Sequence, residues 1–505
     1  TKAEYASLSE KMFKYEGFYI QKRSLRDYQV DHSANVLGYI REVDERILQN
    51  NPYYQMGELI GMQGVEKQYE EVLRGVKGVR YIQKDRFNRD IGPYKNGMFD
   101  TLPERGKDIT LTISSALQEY GESLFVNKRG GIVAIEPETG EILALITAPN
   151  YDPELLVGRQ RSKNFTRLFY DTIAKPLFDR GLQGEYPPGS PFKTLTGLIG
   201  LQEGVIDTRE RIGCNHGYVY GRGVKLGCHS HATPLAMVGG IANSCNAYFC
   251  TVYRRTIEKY PTPQEGINRW NEHLTSFGLG DFMGYDLPSG RRGLIPDAEY
   301  YNRYYQYPKY KWSATATISN AIGQGEVNLT PMQMANFTAA IANRGYFYRP
   351  HVIKNISEVD TIPQEYTKKH VTTIDKEHFG PVVEGMFDVY NRGTASHLQV
   401  AGIEICGKTG TAENYTVIDG VRTQLTDHST FIAFAPKDNP KIAIAVFVEN
   451  GYWGGRWAGR IASLMIEKHL RGEITRKDLE KYVLEGSLEH EYAKPLSGKP
   501  FKINQ

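Results

Sequence analysis

The 505-residue sequence predicts an α+β chain of more than one domain, whose larger part is an antiparallel sheet flanked by helices beside an all-helical lobe. Three observations lead there. Composition changes near residue 125, from charged, tyrosine-rich sequence to apolar β-rich runs. Strand-like hairpins stand at both ends of the later part, "GGIVAIEPETGEILALITAP" and "STFIAFAPKDNPKIAIAVFVEN", each closed by a turn-forming tetrad or pentad. Between them, from about 150 to 345, the pattern is mostly helical. The simplest packing puts the terminal strands in one sheet and the inserted helices in a lobe of their own, leaving a cleft between them.

Residues 1–125 read as short strands and helices, with "HSANVLGYI" and "KDITLTI" the clearest apolar runs. "GMQGVEKQYEEVLRG" and "ISSALQEYGESLF" are helical patterns. Residues 126–485 form the second domain, ending in the amphipathic helix of "GRWAGRIASLMIEKHLRG", and 486–505 read as a tail. A hydrophobic content of 40% makes the chain globular, and a net charge of +3 gives no footprint for nucleic acid. No apolar run is long enough to span a bilayer. The polar opening "TKAEYASLSEKMFKYEGFY" resembles the inside of a domain, so the expectation is a longer protein whose missing start includes a membrane anchor.

"YPPGSPFK" at 186–193 places two prolines and a glycine before Ser190, with Lys193 three positions on. Glycine and proline suit a tight turn into a helix start, and residues three apart share a helix face. Ser190 therefore lies at a helix N-terminus beside Lys193, where the dipole favours a developing oxyanion. Two later patterns complete a set: Ser244-x-Asn246 in "GGIANSCNAYF", and Lys408-Thr409-Gly410-Thr411 in "ICGKTGTAEN". Taken singly each has a plain structural reading: a helix cap for Ser244, strand residues for Thr409 and Thr411. Gly323, Gln324 and Gly325 in "IGQG" read as a tight turn, and "YYNRYYQYPKY" as an exposed or interface loop. In this order, Ser-x-x-Lys, Ser-x-Asn and Lys-Thr-Gly are the signature of penicillin-interacting serine acyltransferases.

On these motifs the chain resembles the class B high-molecular-weight penicillin-binding proteins. "FGLGDFMGYDLPSG", "AIGQGEVNLTPMQMANFTAAIANRG" and "GMFDVYNRGTA" look like family blocks in family order, and "HSANVLGYI" resembles the class's pedestal. The resemblance implies a non-catalytic pedestal (dimerisation-type) domain over 1–125 and a transpeptidase domain over 126–485. "RGLQGEYPPGSPFK" looks most like the penicillin-binding protein 2 group of cell-wall elongation; the septal group more often carries glutamate where Pro187 stands. It implies a peptidoglycan D,D-transpeptidase, blocked by β-lactams, on a single-pass inner-membrane anchor with a periplasmic catalytic domain and a SEDS-family glycosyltransferase partner. The alternatives are a septal transpeptidase, a β-lactamase or D,D-carboxypeptidase, and a catalytically silent scaffold or β-lactam sensor. Residue chemistry fits the transpeptidase reading. A serine hydroxyl needs a base, and Lys193 must be neutral to serve, through burial and a second ammonium on Lys408. Ser244 relays a proton to the leaving amine, and Asn246 holds the substrate amide. Lys408, Thr409, Gly410 and Thr411 suit the carboxylate of a D-Ala-D-Ala stem peptide. The resemblance further implies an oxyanion hole made by the backbone N–H groups of Ser190 and Thr411.

A second cluster leads into the Ser-x-Asn motif. Cys214, Cys228, His231 and Cys245 could complete a tetrahedral structural zinc shell, with His216 and His229 as alternates. The penicillin-binding protein 2 group includes members with zinc in this region. A Cys214–Cys228 disulfide or free thiols are the alternatives. Cys250 and Cys406 read as core residues.

Overall fold

The structure, a computed structural model, describes residues 2–15, 25–221, 223–359, 361–418 and 420–494. Its centre is a five-stranded antiparallel sheet built from both ends of the later part of the chain. The strands are β1 (Gly130–Ile135), β2 (Ile142–Ala148), β3 (Cys406–Ala412), β4 (His428–Ala435) and β5 (Ile442–Val448). They lie in the order β3-β4-β5-β1-β2, so β3 is an edge. Every residue of β1, β2 and β5 is buried, which explains their unbroken apolar runs: helices cover both faces.

The helices that matter to the site are α1 (Ser115–Leu124), α2 (Lys193–Gln202), α3 (Met237–Ala242), α4 (Asn246–Glu258), α5 (Pro331–Ala342), α6 (Phe379–Asn391) and α7 (Ala458–Arg471). Helices α1 and α7 touch each other over the sheet, whereas α5 lies against β1 and β5, and α6 against β3. Helix α5 starts in a capping box: Thr330 Oγ1 accepts the Gln333 N–H at 3.2 Å and Gln333 Oε1 accepts the Thr330 N–H at 3.1 Å, with Pro331 in the first turn. Such a cap contributes about 1 kcal/mol. In the lobe, α2 packs on α4, and Leu195, Leu198 and Phe192 are fully buried. Each contributes roughly 1.5–3 kcal/mol of apolar burial.

The predicted fold is what the structure has, with local differences. "HSANVLGYI" divides into a helical turn, Ala34–Leu37, and a strand, Ile40–Glu42, with Gly38 at φ +83° between them. "GMQGVEKQYEEVLRG" is two short helices, Gly64–Gln68 and Glu70–Arg74, parted at Tyr69. Tyr69 is drawn out of the pattern by its phenol, which donates to Asp286 at 2.6 Å in the later part of the chain. Asp286 also accepts the backbone N–H groups of Val352 and Ile353 at 2.7 and 2.9 Å. Beside it the strand Ile109–Leu111 pairs with Ile353–Ile356, so the early and later parts share a ladder. The first half of the "YYNRYYQYPKY" stretch is helical, within Ala298–Tyr304, with Tyr301 fully buried and Tyr304 exposed; the second half is a turn on which Tyr307 and Tyr310 are exposed. After Glu485 the chain turns back: Tyr492 hydroxyl accepts the Arg129 N–H and donates to the Glu449 carbonyl, both at 2.9 Å.

Candidate active site

The predicted turn before Ser190 is made by Gly189, at φ +63°, where a Cβ would sit 2.7 Å from the Thr411 carbonyl oxygen. Only glycine meets both conditions. The helix opens as one tight 3₁₀ turn, Ser190–Phe192, with Pro191 inside it, and continues as α2 from Lys193. That compact start puts Ser190 on the wall of a cleft of about 1040 Å³ between sheet and lobe, together with Lys193, Ser244, Asn246, Thr409, Gly410 and Thr411.

Lys193 is wholly buried, and its ammonium is held by three oxygens across the motif boundary. It donates to the Ser244 carbonyl at 2.7 Å, to Ser244 Oγ at 3.0 Å and to Asn246 Oδ1 at 2.5 Å. Burial pushes the lysine down to about 8, with the neighbouring cysteines opposing it. Ser244 is not the helix cap of the plain structural reading. It sits between α3 and α4 at φ +52°, a left-handed conformation that serine adopts only under constraint, and so presents both its carbonyl and its hydroxyl to Lys193. Cys245 takes the capping position, its sulfur accepting the Tyr248 N–H at 3.4 Å.

Lys408 is placed differently from the rest. It is fully buried in β3 behind the cleft wall, its ammonium donating to the Thr409 carbonyl at 3.1 Å. Burial, and then the charge of Lys193, holds it well below the usual lysine range. The mutual repulsion foreseen as lowering Lys193 thus falls on Lys408. Thr409 Oγ1 shares a 2.7 Å hydrogen bond with Thr394 Oγ1. Because β3 is the sheet edge, it has a free side on which an extended peptide can lie.

Cys214, Cys228, His231 and Cys245 do come together: their ligand atoms all lie within 4.8 Å of one another. None of the five cysteines is in a disulfide, so no bridge joins Cys214 to Cys228. Three sulfurs and one imidazole fit a closed tetrahedral zinc shell, whose ~2.3 Å Zn–S arms imply sulfur separations near ~3.8 Å. Cys228 Sγ is 3.4 Å from His231 Nε2 and accepts the Asn246 N–H at 3.4 Å, which ties this cluster to the residue that holds Lys193. Cys250 and Cys406 are buried, as core residues should be.

Residues 130–467 match the penicillin binding protein transpeptidase domain, and residues 1–111 the penicillin-binding protein dimerisation domain. The chain belongs to the class B penicillin-binding proteins. Within them it is of the elongation type. It is 34% identical over 496 residues to peptidoglycan D,D-transpeptidase MrdA of Acinetobacter baumannii, covering 94% of this chain and 70% of that one. The Pseudomonas aeruginosa PBP2 structure in complex with WCK 5153 superposes with a TM-score of 0.73 at 30% identity, covering 93% of each chain. Helicobacter pylori PBP2 in complex with MreC gives a TM-score of 0.79 at 26% identity, over 94% of this chain and 84% of that one.

Sequence reasoning missed part of this cleft. Thr394, Gln324, Tyr220, Lys225, Glu413 and Arg422 also line it. Thr394 and Gln324 fall inside quoted blocks, "GMFDVYNRGTA" and "AIGQGEVNL", but carry no spacing relation to the three motifs. Tyr220, Lys225 and Arg422 stand on the strand pairs Gly217–Gly221 with Val224–Gly227 and Tyr415–Ile418 with Val421–Gln424, and Glu413 directly follows β3; none of these has a motif of its own.

Proposed function

We propose that the protein is the peptidoglycan D,D-transpeptidase of cell-wall elongation, working through an acyl-enzyme on Ser190. The observation that carries this is the Lys193 ammonium, buried, with no carboxylate partner among the described residues and held by Ser244 and Asn246, so that it can lose its proton near neutral pH.

Neutral Lys193 takes the Ser190 hydroxyl proton as Oγ bonds to the carbonyl carbon of the penultimate D-alanine. The oxyanion is received by the N–H groups of Ser190 and Thr411, where preorganised donors act most strongly. The C–N bond then breaks, and the amine of terminal D-alanine leaves with a proton passed from Lys193 through Ser244. An amine of a neighbouring stem peptide next attacks the acyl carbon and gives up its proton to Lys193. Ser190 departs as its hydroxyl, and a cross-link remains. Asn246 orients the donor amide; Thr409 and Thr411 hydroxyls bind the terminal carboxylate, with Lys408 behind them as the electrostatic floor. A β-lactam acylates Ser190 in the same way, but its leaving nitrogen stays tethered and blocks the second amine.

Cys214, Cys228, His231 and Cys245 would hold a structural zinc ion, which would fix the Ser244–Asn246 loop and take part in no catalytic step. The protein acts at the periplasmic face of the inner membrane, anchored by a single helix, beside a SEDS-family glycosyltransferase. The Helicobacter pylori relative is found in complex with MreC, and a 26% identical solved structure is described as a peptidoglycan synthase complex that coordinates polymerization and crosslinking; the latter supports a polymerising partner. Intact-protein mass after incubation with a penicillin tests the reading. A stable gain of one drug molecule, abolished by Ser190→Ala, is expected. Rapid drug hydrolysis with only transient labelling marks a β-lactamase instead, and no adduct marks a silent scaffold.

A further inference from the structure

The tight turn at Gly323-Gln324-Gly325 lies between the two chain segments that make the oxyanion hole. Gly323 is at φ +67° and ends the short helix Ile318–Ile322; Gly325 is at φ +76°. Two left-handed glycines bend the chain on both sides of Gln324 and turn it into the cleft, while its N–H is fixed on the Ser319 carbonyl at 3.1 Å. On one side, the Gly323 carbonyl accepts the Gly189 N–H at 2.8 Å. The packing is so close that a Cβ on Gly323 would stand 2.5 Å from the Gly189 carbonyl oxygen and 2.6 Å from Phe192 Cβ. On the other side, Gln324 Nε2 donates to the Thr411 carbonyl at 3.0 Å. One tripeptide thus grips the turn that aims the Ser190 N–H and the strand edge that aims the Thr411 N–H.

Those two segments come from different bodies. Ser190 begins a helix of the lobe, and Thr411 belongs to the edge strand of the sheet, which has a neighbour on one side only. The β3–β4 ladder does not fix how far that edge stands from the lobe: Gly189 against the Thr411 carbonyl and Pro191 against Gly410 set how close it can come, and the Gln324 hydrogen bond keeps it from moving away. We infer that Gln324 is a positioning residue: its carboxamide sets the spacing between the two oxyanion donors, and with it the rate of acylation. The role rests on the acyl-enzyme reading above. It goes beyond that reading in assigning a task to a residue outside the three motifs. Donors must lie within hydrogen-bonding distance of where the oxyanion forms, and a misplaced donor forfeits much of what a removed one forfeits.

The test uses Gln324→Ala and Gln324→Glu in the whole protein. Glutamate keeps the shape but replaces the donating amide with an acceptor facing the Thr411 carbonyl. Three quantities are measured: the second-order acylation constant with a penicillin, the affinity of an acylamino boronic acid, and the melting temperature. The boronate's tetrahedral adduct on Ser190 carries an oxygen where the oxyanion forms. Both variants are expected to acylate about 10-fold or more slowly, with boronate affinity down by the same factor and melting unchanged. Wild-type acylation in either variant overturns the inference. So does a loss of acylation that comes with lowered melting and full boronate affinity, which is the mark of a purely structural residue. If the wild-type protein itself takes no adduct, the acyl-enzyme reading fails rather than the role of Gln324.

Discussion

Ser244 separates backbone strain from proton transfer in one position. Its φ of +52° costs an L-residue roughly 1–2 kcal/mol, which glycine does not incur. Glycine in turn loses about 0.5–1 kcal/mol more chain entropy on folding. Ser244→Gly should therefore be more stable than Ser244→Ala by about 0.5–1 kcal/mol. Both variants lose the hydroxyl that accepts from Lys193 at 3.0 Å, and a hydrogen bond to a charged group contributes about 1.5–3 kcal/mol. Both should thus melt below wild type, alanine lowest. Acylation depends on the hydroxyl alone, so the two should be slowed alike, by about 100-fold, as loss of a proton relay costs. Thermal melting and labelling with a fluorescent penicillin read the two effects separately. If alanine melts at or above glycine, the backbone at 244 is not strained. If either variant acylates at the wild-type rate, Ser244 does not carry the proton.

Lys193 must be neutral to act, and its depressed value of about 8 means that the base form grows as pH rises through that point. The acylation constant should climb from about pH 6 and level off near about 9; a flat profile removes Lys193 as the base. Lys408→Met removes a buried cation that has only a backbone acceptor, so melting should hold or rise while acylation drops by about 100-fold or more. A marked loss of melting temperature would mean that this ammonium stabilises the fold. A strong chelator should lower melting and acylation together, because Cys228 and Cys245 flank Asn246 in space and sequence. Unchanged melting would show that the cysteine cluster holds no structural metal.

The sheet was legible because its outer hairpins have period and punctuation: apolar runs such as 130–135 and 442–448 broken by "EPETG" and "KDNP". The three motifs were legible for a similar reason, since Ser190 and Lys193, or Ser244 and Asn246, relate to each other over a few residues. What escaped depends on distant chain. Tyr69 breaks a good helical pattern for a carboxylate more than 200 positions away, and the left-handed Ser244 has no glycine or asparagine to announce it. The same holds for Lys408, whose motif fixes its strand but not its depth behind the wall. The metal-type cluster lay between these cases: its residues could be named, but only the fold brings Cys214 beside Cys245.

The shared ladder between Ile109–Leu111 and Ile353–Ile356, with Asp286 tying Tyr69 to Val352 and Ile353, has a mechanical consequence. A hydrogen-bonded strand pair resists shear along its length, where all its bonds are loaded at once. It yields to peeling, where they open one by one. The ladder is therefore one of the couplings between the early and later parts of the chain, stiff in one direction and compliant in another. A pull along the strands is resisted more stiffly at this joint than a sideways one, in addition to the resistance of the bonds that Asn35 makes to Pro176 and Arg161 to Ile40 across the same boundary.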